Sequence, residues 1–290
     1  MGAGPVHDQS ASIHTMESQK AKSERFLALH NATTPLLLPN PWDRGSAKLF
    51  ASLGFEALAT TSSGSAAAMG RLDGSLSRDE ALEHAASIVD ATDLPVSADL
   101  ENGFADDPDG VAETVERALL AGLAGLSVED FSRQPADRTY DIGLAGERVA
   151  AAAEIAHRGE VRLVLTARAE NHIHGRDDLD DTITRLQRYQ EAGADVLFAP
   201  GLKRAEDIRR LVASVDRPVN VLAVPGCPSV AELGALGVRR ISVGGAFAFA
   251  ALGAALEAAR ELREQGTYGY LGRAREGLIA ARAAFDNRSS

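Results

Sequence analysis

The residues of this chain best suited to chemistry stand where short apolar runs stop. Asp99 and Glu101 lie two positions apart in Ser97-Ala98-Asp99-Leu100-Glu101-Asn102-Gly103, so on an extended segment both carboxylates face the same side. Glu129 ends the next run, and the three acids would gather at one rim. Like charges that close repel, and a hard divalent cation offsets the repulsion. An all-oxygen set suits Mg²⁺ or Mn²⁺ and not zinc. A hydrated acidic rim is the plainer reading of the same spacing. Arg168 ends a further run, where its planar fork fits a carboxylate or phosphate, or else a structural ion pair.

Other polar groups stand at comparable places. Ser62-Ser63-Gly64 offers hydroxyls and an approachable backbone, which makes either an anion cradle or a simple turn. Val243-Gly244-Gly245 reads the same two ways, as a phosphate loop or as a tight entry to a helix. His172 and His174 alternate, but no third soft ligand accompanies them, so they read as loop residues. Cys227, in Val224-Pro225-Gly226-Cys227-Pro228, is the only cysteine and reads as a small half-buried thiol.

The elements that must position these groups follow from the pattern of apolar residues. Candidate strands are Leu36–Pro39, Ala57–Thr61, Val96–Leu100, Gly125–Glu129, Arg162–Ala167, Val196–Phe198, Val219–Leu222 and Arg240–Val243. Between them lie helical periods such as Arg78–Ala91, Gly110–Ala121, Leu179–Ala192 and Ala205–Val215. Eight strand-helix units predict an α/β fold of the closed (β/α)₈ TIM-barrel type, with chemistry at the carboxyl ends of the strands. An open doubly wound sheet fits less well, because no G-x-G-x-x-G follows the first strand.

Residues 1–22 lack an apolar period and read as a loosely ordered extension; 23–265 make the barrel; 266–290 carry a surplus helix, Leu271–Phe285, and a tail. The chain has 290 residues, 45% of them apolar, and a net charge of −11, which argues against a nucleic-acid partner. With one cysteine and no run of roughly 18 apolar residues, an internal disulfide and a membrane span are both excluded, and a cytoplasmic location is expected.

Five motifs in order carry a family resemblance: Pro39-Asn40-Pro41-Trp42-Asp43-Arg44-Gly45-Ser46, Ala59-Thr60-Thr61-Ser62-Ser63-Gly64, Ser97 through Phe104, Val128-Glu129-Asp130 and Thr166-Ala167-Arg168. From Phe26 to Phe285 the chain resembles the isocitrate lyase and phosphoenolpyruvate mutase superfamily. The resemblance implies a barrel whose last helix is exchanged between subunits, in homodimers that pair into homotetramers. It also implies Mg²⁺, a 2-oxo acid or related small carboxylate, and a carbon-carbon or carbon-phosphorus bond made or broken through an enolate. By motif Asp99 resembles the direct metal ligand, with Glu101, Glu129 and Asp73 (in Gly70-Arg71-Leu72-Asp73) holding the metal through water. Ser62, Ser63, Gly64, Trp42, Asp73 and Arg168 resemble the substrate-binding groups, and Glu170 a residue that supports them.

The departures narrow the reaction. No Lys-Lys-Cys-Gly loop follows Glu129-Asp130; the segment reads Phe131-Ser132-Arg133-Gln134-Pro135-Ala136-Asp137-Arg138-Thr139-Tyr140, and no lysine occurs between Lys48 and Lys203. The histidine of phosphonopyruvate enzymes is replaced by Phe198-Ala199-Pro200-Gly201. Decarboxylation needs no strong acid-base group in its first step. The expectation is therefore a Mg²⁺-dependent carbon-carbon lyase of the oxaloacetate decarboxylase kind, with Arg168 and Glu129 catalytic and the enolate protonated by water, Tyr140 or Arg133. A carbon-phosphorus enzyme and a noncatalytic metal- and carboxylate-binding barrel are the alternatives.

Overall fold

A computed structural model describes residues 9–131 and 139–286, with 9–17 described for their backbone only. Eight parallel strands form the sheet: β1 (Leu36–Leu38), β2 (Leu58–Ala59), β3 (Val96–Asp99), β4 (Gly125–Glu129), β5 (Val164–Arg168), β6 (Val196–Phe198), β7 (Val219–Leu222) and β8 (Arg240–Ser242). Their order is β1-β8-β7-β6-β5-β4-β3-β2, and the Ala59 N–H donates to Pro39 O at 3.1 Å to join the two ends into a barrel. The observed strands fall within two residues of those expected, because each is a short apolar run that tertiary packing cannot relocate.

Helices α1 (Gln9–Leu29), α2 (Arg44–Ser52), α3 (Ser62–Ala68), α4 (Arg78–Val89), α5 (Pro108–Leu120), α6 (Ile142–Ala156), α7 (Leu179–Glu191), α8 (Ala205–Ala213), α9 (Val230–Ala235), α10 (Ala246–Arg260) and α11 (Leu271–Phe285) complete the described fold. Outward strand residues such as Leu126, Val128, Leu165 and Leu197 are buried against the helical ring. Capping boxes at Asp43 and Ser77 start α2 and α4 by satisfying helix N–H groups that have no partner within the helix.

Over residues 9–22 the extension departs from its expected loose order, since α1 is helical from Gln9. Its polar surface hid this from a reading of apolar period, but its last turns anchor it under the barrel. Phe26 is fully buried, with Leu36, Ala57, Val164 and Val196 around it. Gly125 makes room for that ring: a Cβ there would meet Phe26 Cε1 at 2.8 Å and Val164 O at 2.7 Å. Gln19 Nε2 donates to Leu119 O and Leu123 O at 2.9 Å each, and Lys22 Nζ to Thr92 O at 3.2 Å. These bonds cap carbonyls at and beyond the carboxyl ends of α4 and α5.

The surplus helix is present over the residues expected. Phe285 lies against Gly45 of α2, while Leu271, Leu278 and Ile279 face outward. Along α10, Phe247, Phe249, Leu252 and Leu256 are likewise exposed, and only Ala248 is buried.

Candidate active site

Strand ends and following turns build the mouth of the barrel. Arg168, last residue of β5, occupies its centre. Its Nη1 lies 2.7 Å from Asp99 Oδ1, its Nη2 3.1 Å from Glu129 Oε2, and its Nε and Nη2 each 2.9 Å from Glu170 Oε1. Three carboxylates thus share one guanidinium, leaving an excess of negative charge in a half-buried site. Burial opposes the charge on Arg168, yet Glu170, Glu129 and Asp99 together hold its pKa above the usual arginine value. Burial pushes Glu129 well above the carboxylate range, and Glu170, Asp99 and Asp130 add to the shift against the pull of Arg168.

Asp99 is fixed on both sides. Its Oδ2 accepts the Ser62 N–H at 3.0 Å, and its own N–H donates to Thr60 Oγ1 at 3.0 Å. Glu101 reaches the site by another route than strand alternation. The strand stops at Asp99 and Glu101 adopts φ +48°, so the shared-face argument fails; the side chain instead lines a cavity of about 280 Å³ with Asp73, Glu129, Glu170 and His174. A second cavity, of about 170 Å³, runs inward from Ser62, Ser63, Asp73 and Asp99 past Arg168.

Other expected groups are placed differently. Gly64 does not meet either cavity; it is required by packing, because a Cβ would lie 2.6 Å from Thr61 Cγ2 and 3.3 Å from both Trp42 Cβ and Ala248 Cβ. Trp42 backs α3 from the same side and stacks edge-on with Phe50, away from the mouth. Tyr140 is buried, donates to Asp106 Oδ1 at 2.5 Å and accepts from Asn102 Nδ2 at 3.1 Å. Burial and Asp106 raise its pKa, and it lines neither mouth cavity, so the geometry withdraws it as proton donor. Arg133 lies outside the described residues.

The Val243 and Gly244 N–H groups donate to Asn40 Oδ1 at 2.9 Å, which makes that segment a tied turn and not a phosphate loop. His172 faces Asp177 at 3.2 Å, whereas His174 stacks on Phe131 and approaches Glu170 at 3.6 Å, so the two imidazoles diverge. Behind the mouth, Asp130 accepts from Tyr189 OH at 2.5 Å, from Arg185 at 3.1 Å and from the Glu170 N–H at 2.9 Å, locking the turn that carries Glu170. In the sequence Asp130 has no role of its own and His174 reads as a loop residue, since both lie in loops whose direction the local pattern does not set.

Among the described residues no preformed cage of three or more His, Cys, Asp or Glu side chains surrounds a metal position. Mg²⁺ does not require one, because it keeps several waters and takes one or two carboxylates directly. The oxygen-only donors Asp99, Glu101, Glu129 and Asp73 fit that chemistry, since all four offer hard carboxyl oxygens.

A family model described as phosphoenolpyruvate phosphomutase matches residues 26–263. The chain belongs to the isocitrate lyase/phosphoenolpyruvate mutase superfamily. A solved structure from Burkholderia cenocepacia J2315 with a provisional lyase/mutase designation superposes with a TM-score of 0.91 at 48% identity, over 94% of this chain and 98% of the other. An oxaloacetate decarboxylase of Chromohalobacter salexigens is 30% identical over 261 residues, covering 85% of this chain and 87% of that protein. An uncharacterised Mycobacterium tuberculosis H37Rv protein is 35% identical over 240 residues, 82% of this chain and 89% of that one. This superfamily member is an enzyme.

Proposed function

We propose that the enzyme is a Mg²⁺-dependent lyase that cleaves a carbon-carbon bond in a small 2-oxo or 2-hydroxy carboxylate, with decarboxylation of oxaloacetate as the simplest case. The observation that carries this reading is the meeting of Asp99, Glu129 and Glu170 on Arg168 at the mouth. Asp99 would hold the metal directly, with Glu101, Glu129 and Asp73 holding it through water. The ion would supply Lewis-acid stabilisation of charge that develops on the substrate oxygens.

The chain's own groups do the rest. Arg168 binds the substrate carboxylate and orients the breaking bond, aided by the Ser62 and Ser63 hydroxyls along the cavity wall. The Ser62 N–H holds Asp99 in place, and the network on Asp130 keeps Glu170 behind Arg168. With Tyr140 enclosed, water and, among the described residues, His174 are placed at the mouth to protonate the product carbon, with Arg133 outside the described residues. The absence of a thiol or lysine there favours decarboxylation over cleavage of the isocitrate type.

The outward apolar residues of α10 and α11 support assembly into homodimers or homotetramers by helix exchange. Among the described residues no helix is long and apolar enough to cross a membrane. A coupled assay of oxaloacetate and related 2-oxo acids, with and without Mg²⁺, tests the reaction. Turnover that needs the ion supports it; ligand binding by calorimetry with no turnover of any candidate would leave a binding protein instead.

A further inference from the structure

The inside of this barrel is not filled in the way such barrels usually are. Branched apolar side chains normally pack the interior in layers. Here the floor layer around Phe26 is apolar, but the cavity of about 170 Å³ above it is walled by Ser97, Ser127, Asn220, Ser242 and Arg240 together with apolar residues. Thr166 faces the same axis by strand alternation with Arg168, and its buried Oγ1 has no hydrogen-bond partner among the described residues.

Arg240 is the unusual member. It is 4% exposed, and its guanidinium partners among the described residues are uncharged: Nε donates to Asn220 Oδ1 at 2.9 Å, and Nη1 lies 3.4 Å from His30 Nε2. His30 Nδ1 is 2.7 Å from Phe26 O, which places the ring proton on Nδ1 and leaves Nε2 to accept from Arg240. Burial and Arg240 hold the His30 pKa down at about 3, so the imidazole is neutral. Asn220 is oriented in turn, its Nδ2 donating to Ser242 Oγ at 3.0 Å. Burial, with Arg168 adding repulsion, lowers the Arg240 pKa to about 9, which still leaves it a cation at neutral pH. Among the described residues no carboxylate lies within ion-pair distance of it.

A buried cation without a counter-ion is costly, and the fold has built a hydrogen-bonded frame that aims this one at a cavity. We propose that Arg240, Asn220 and the surrounding hydroxyls form an inner anion site beneath the mouth, which takes one small monovalent anionic group. That group is either a free anion of halide size or one carboxylate arm of a molecule whose other end lies at Arg168. The site stands whether or not the proposed decarboxylation holds, because it rests on the barrel interior and not on the carboxylate cluster. If a carboxylate arm fills it, the substrate is a dicarboxylate.

The test uses the full chain in Mg²⁺-free buffer, with bromide, propionate and succinate as probes. Anomalous diffraction from bromide-soaked crystals is expected to show a peak at Arg240, and the melting temperature is expected to rise saturably with bromide. Asn220→Asp supplies a carboxylate inside the site, so it is expected to lose both the peak and the response while remaining folded. Succinate binding at least tenfold tighter than propionate, with the difference lost in Asn220→Asp, assigns the site to a substrate arm. Equal binding of the two acids alongside the bromide peak assigns it to a free anion. Ordered water and no bromide at Arg240, or an equal response of both proteins, overturns the proposal. Should Asn220→Asp fail to fold, the wild-type diffraction decides alone.

Discussion

Asp99 is held from two directions, by the Arg168 guanidinium at 2.7 Å on one carboxylate oxygen and by the Ser62 N–H at 3.0 Å on the other. The pair joins the ends of β3 and β5 across the mouth. It gives the site a rigid carboxylate beside a guanidinium that Glu129 and Glu170 hold at the same time. Exchanging a carboxylate of the protein for one of a substrate therefore leaves Arg168 paired throughout.

Asp99→Ala tests the metal assignment. Arg168 keeps two carboxylates in this variant, so the fold is expected to persist. Removing even a group that orients a ligand costs about 10–100-fold in metal affinity, and calorimetry is expected to show at least about a 100-fold loss of Mg²⁺ affinity. Unchanged affinity in a folded variant would sink the assignment.

Glu129 makes stability depend on pH in a stated direction. Its folded pKa is raised above its ordinary value of 4.5, chiefly by burial. The folded protein therefore holds that proton more tightly than the unfolded chain. The stability it contributes is full below 4.5 and is lost as pH rises through the folded value. In EDTA, thermal melts of the wild type are expected to fall over that range, and those of Glu129→Gln to fall less. Parallel curves would contradict the burial of this carboxyl.

Cys227→Ser is expected to keep most of its rate. The thiol lies in an outer groove with Lys203, Arg204 and Glu232, its Sγ 3.8 Å from Leu222 O, and burial raises its pKa. A thiolate poised for proton transfer would show the opposite shift. A rate loss of about a thousandfold, equivalent to about 4 kcal/mol in the barrier, with stability unchanged, would restore a thiol-dependent lyase.

Tyr140→Phe separates support from chemistry. It removes the bonds to Asp106 and Asn102, a loss of about 1–2 kcal/mol in stability, which urea unfolding measures. Steady-state kinetics are expected to stay within severalfold of the wild type. A drop of a hundredfold or more in kcat without a change in stability would return Tyr140 to the reaction.

Truncation after Gly266 addresses assembly. It uncovers the α2 surface near Gly45 and removes the apolar face of α11. Light scattering is expected to find the full chain dimeric or tetrameric and the truncated chain aggregated or monomeric. An active, soluble, truncated monomer would refute helix exchange.

The order of the eight strands was legible in the residues themselves, as was the placing of Asp99, Glu129 and Arg168 at strand ends, whereas helix α1 was not. A run such as Gly125–Glu129 is a strand wherever it lies, because its alternation and its bounding residues are local properties. Local pattern read Ser62-Ser63-Gly64 as a cradle or a simple turn, and the structure begins α3 there. The tertiary structure alone decided which of these groups meet. Glu101 turns through a left-handed residue that no spacing rule foresees, and Tyr140 faces Asp106 instead of the mouth. Arg240 meets His30 across 210 positions, and Arg168 meets Asp99 across 69. In a closed barrel, strand stagger and tilt determine which inward residues share a layer. That closure is a property of all eight strands together, so the pairing of a buried cation with a distant ring, or of one arginine with three acids, has no signature in any single segment.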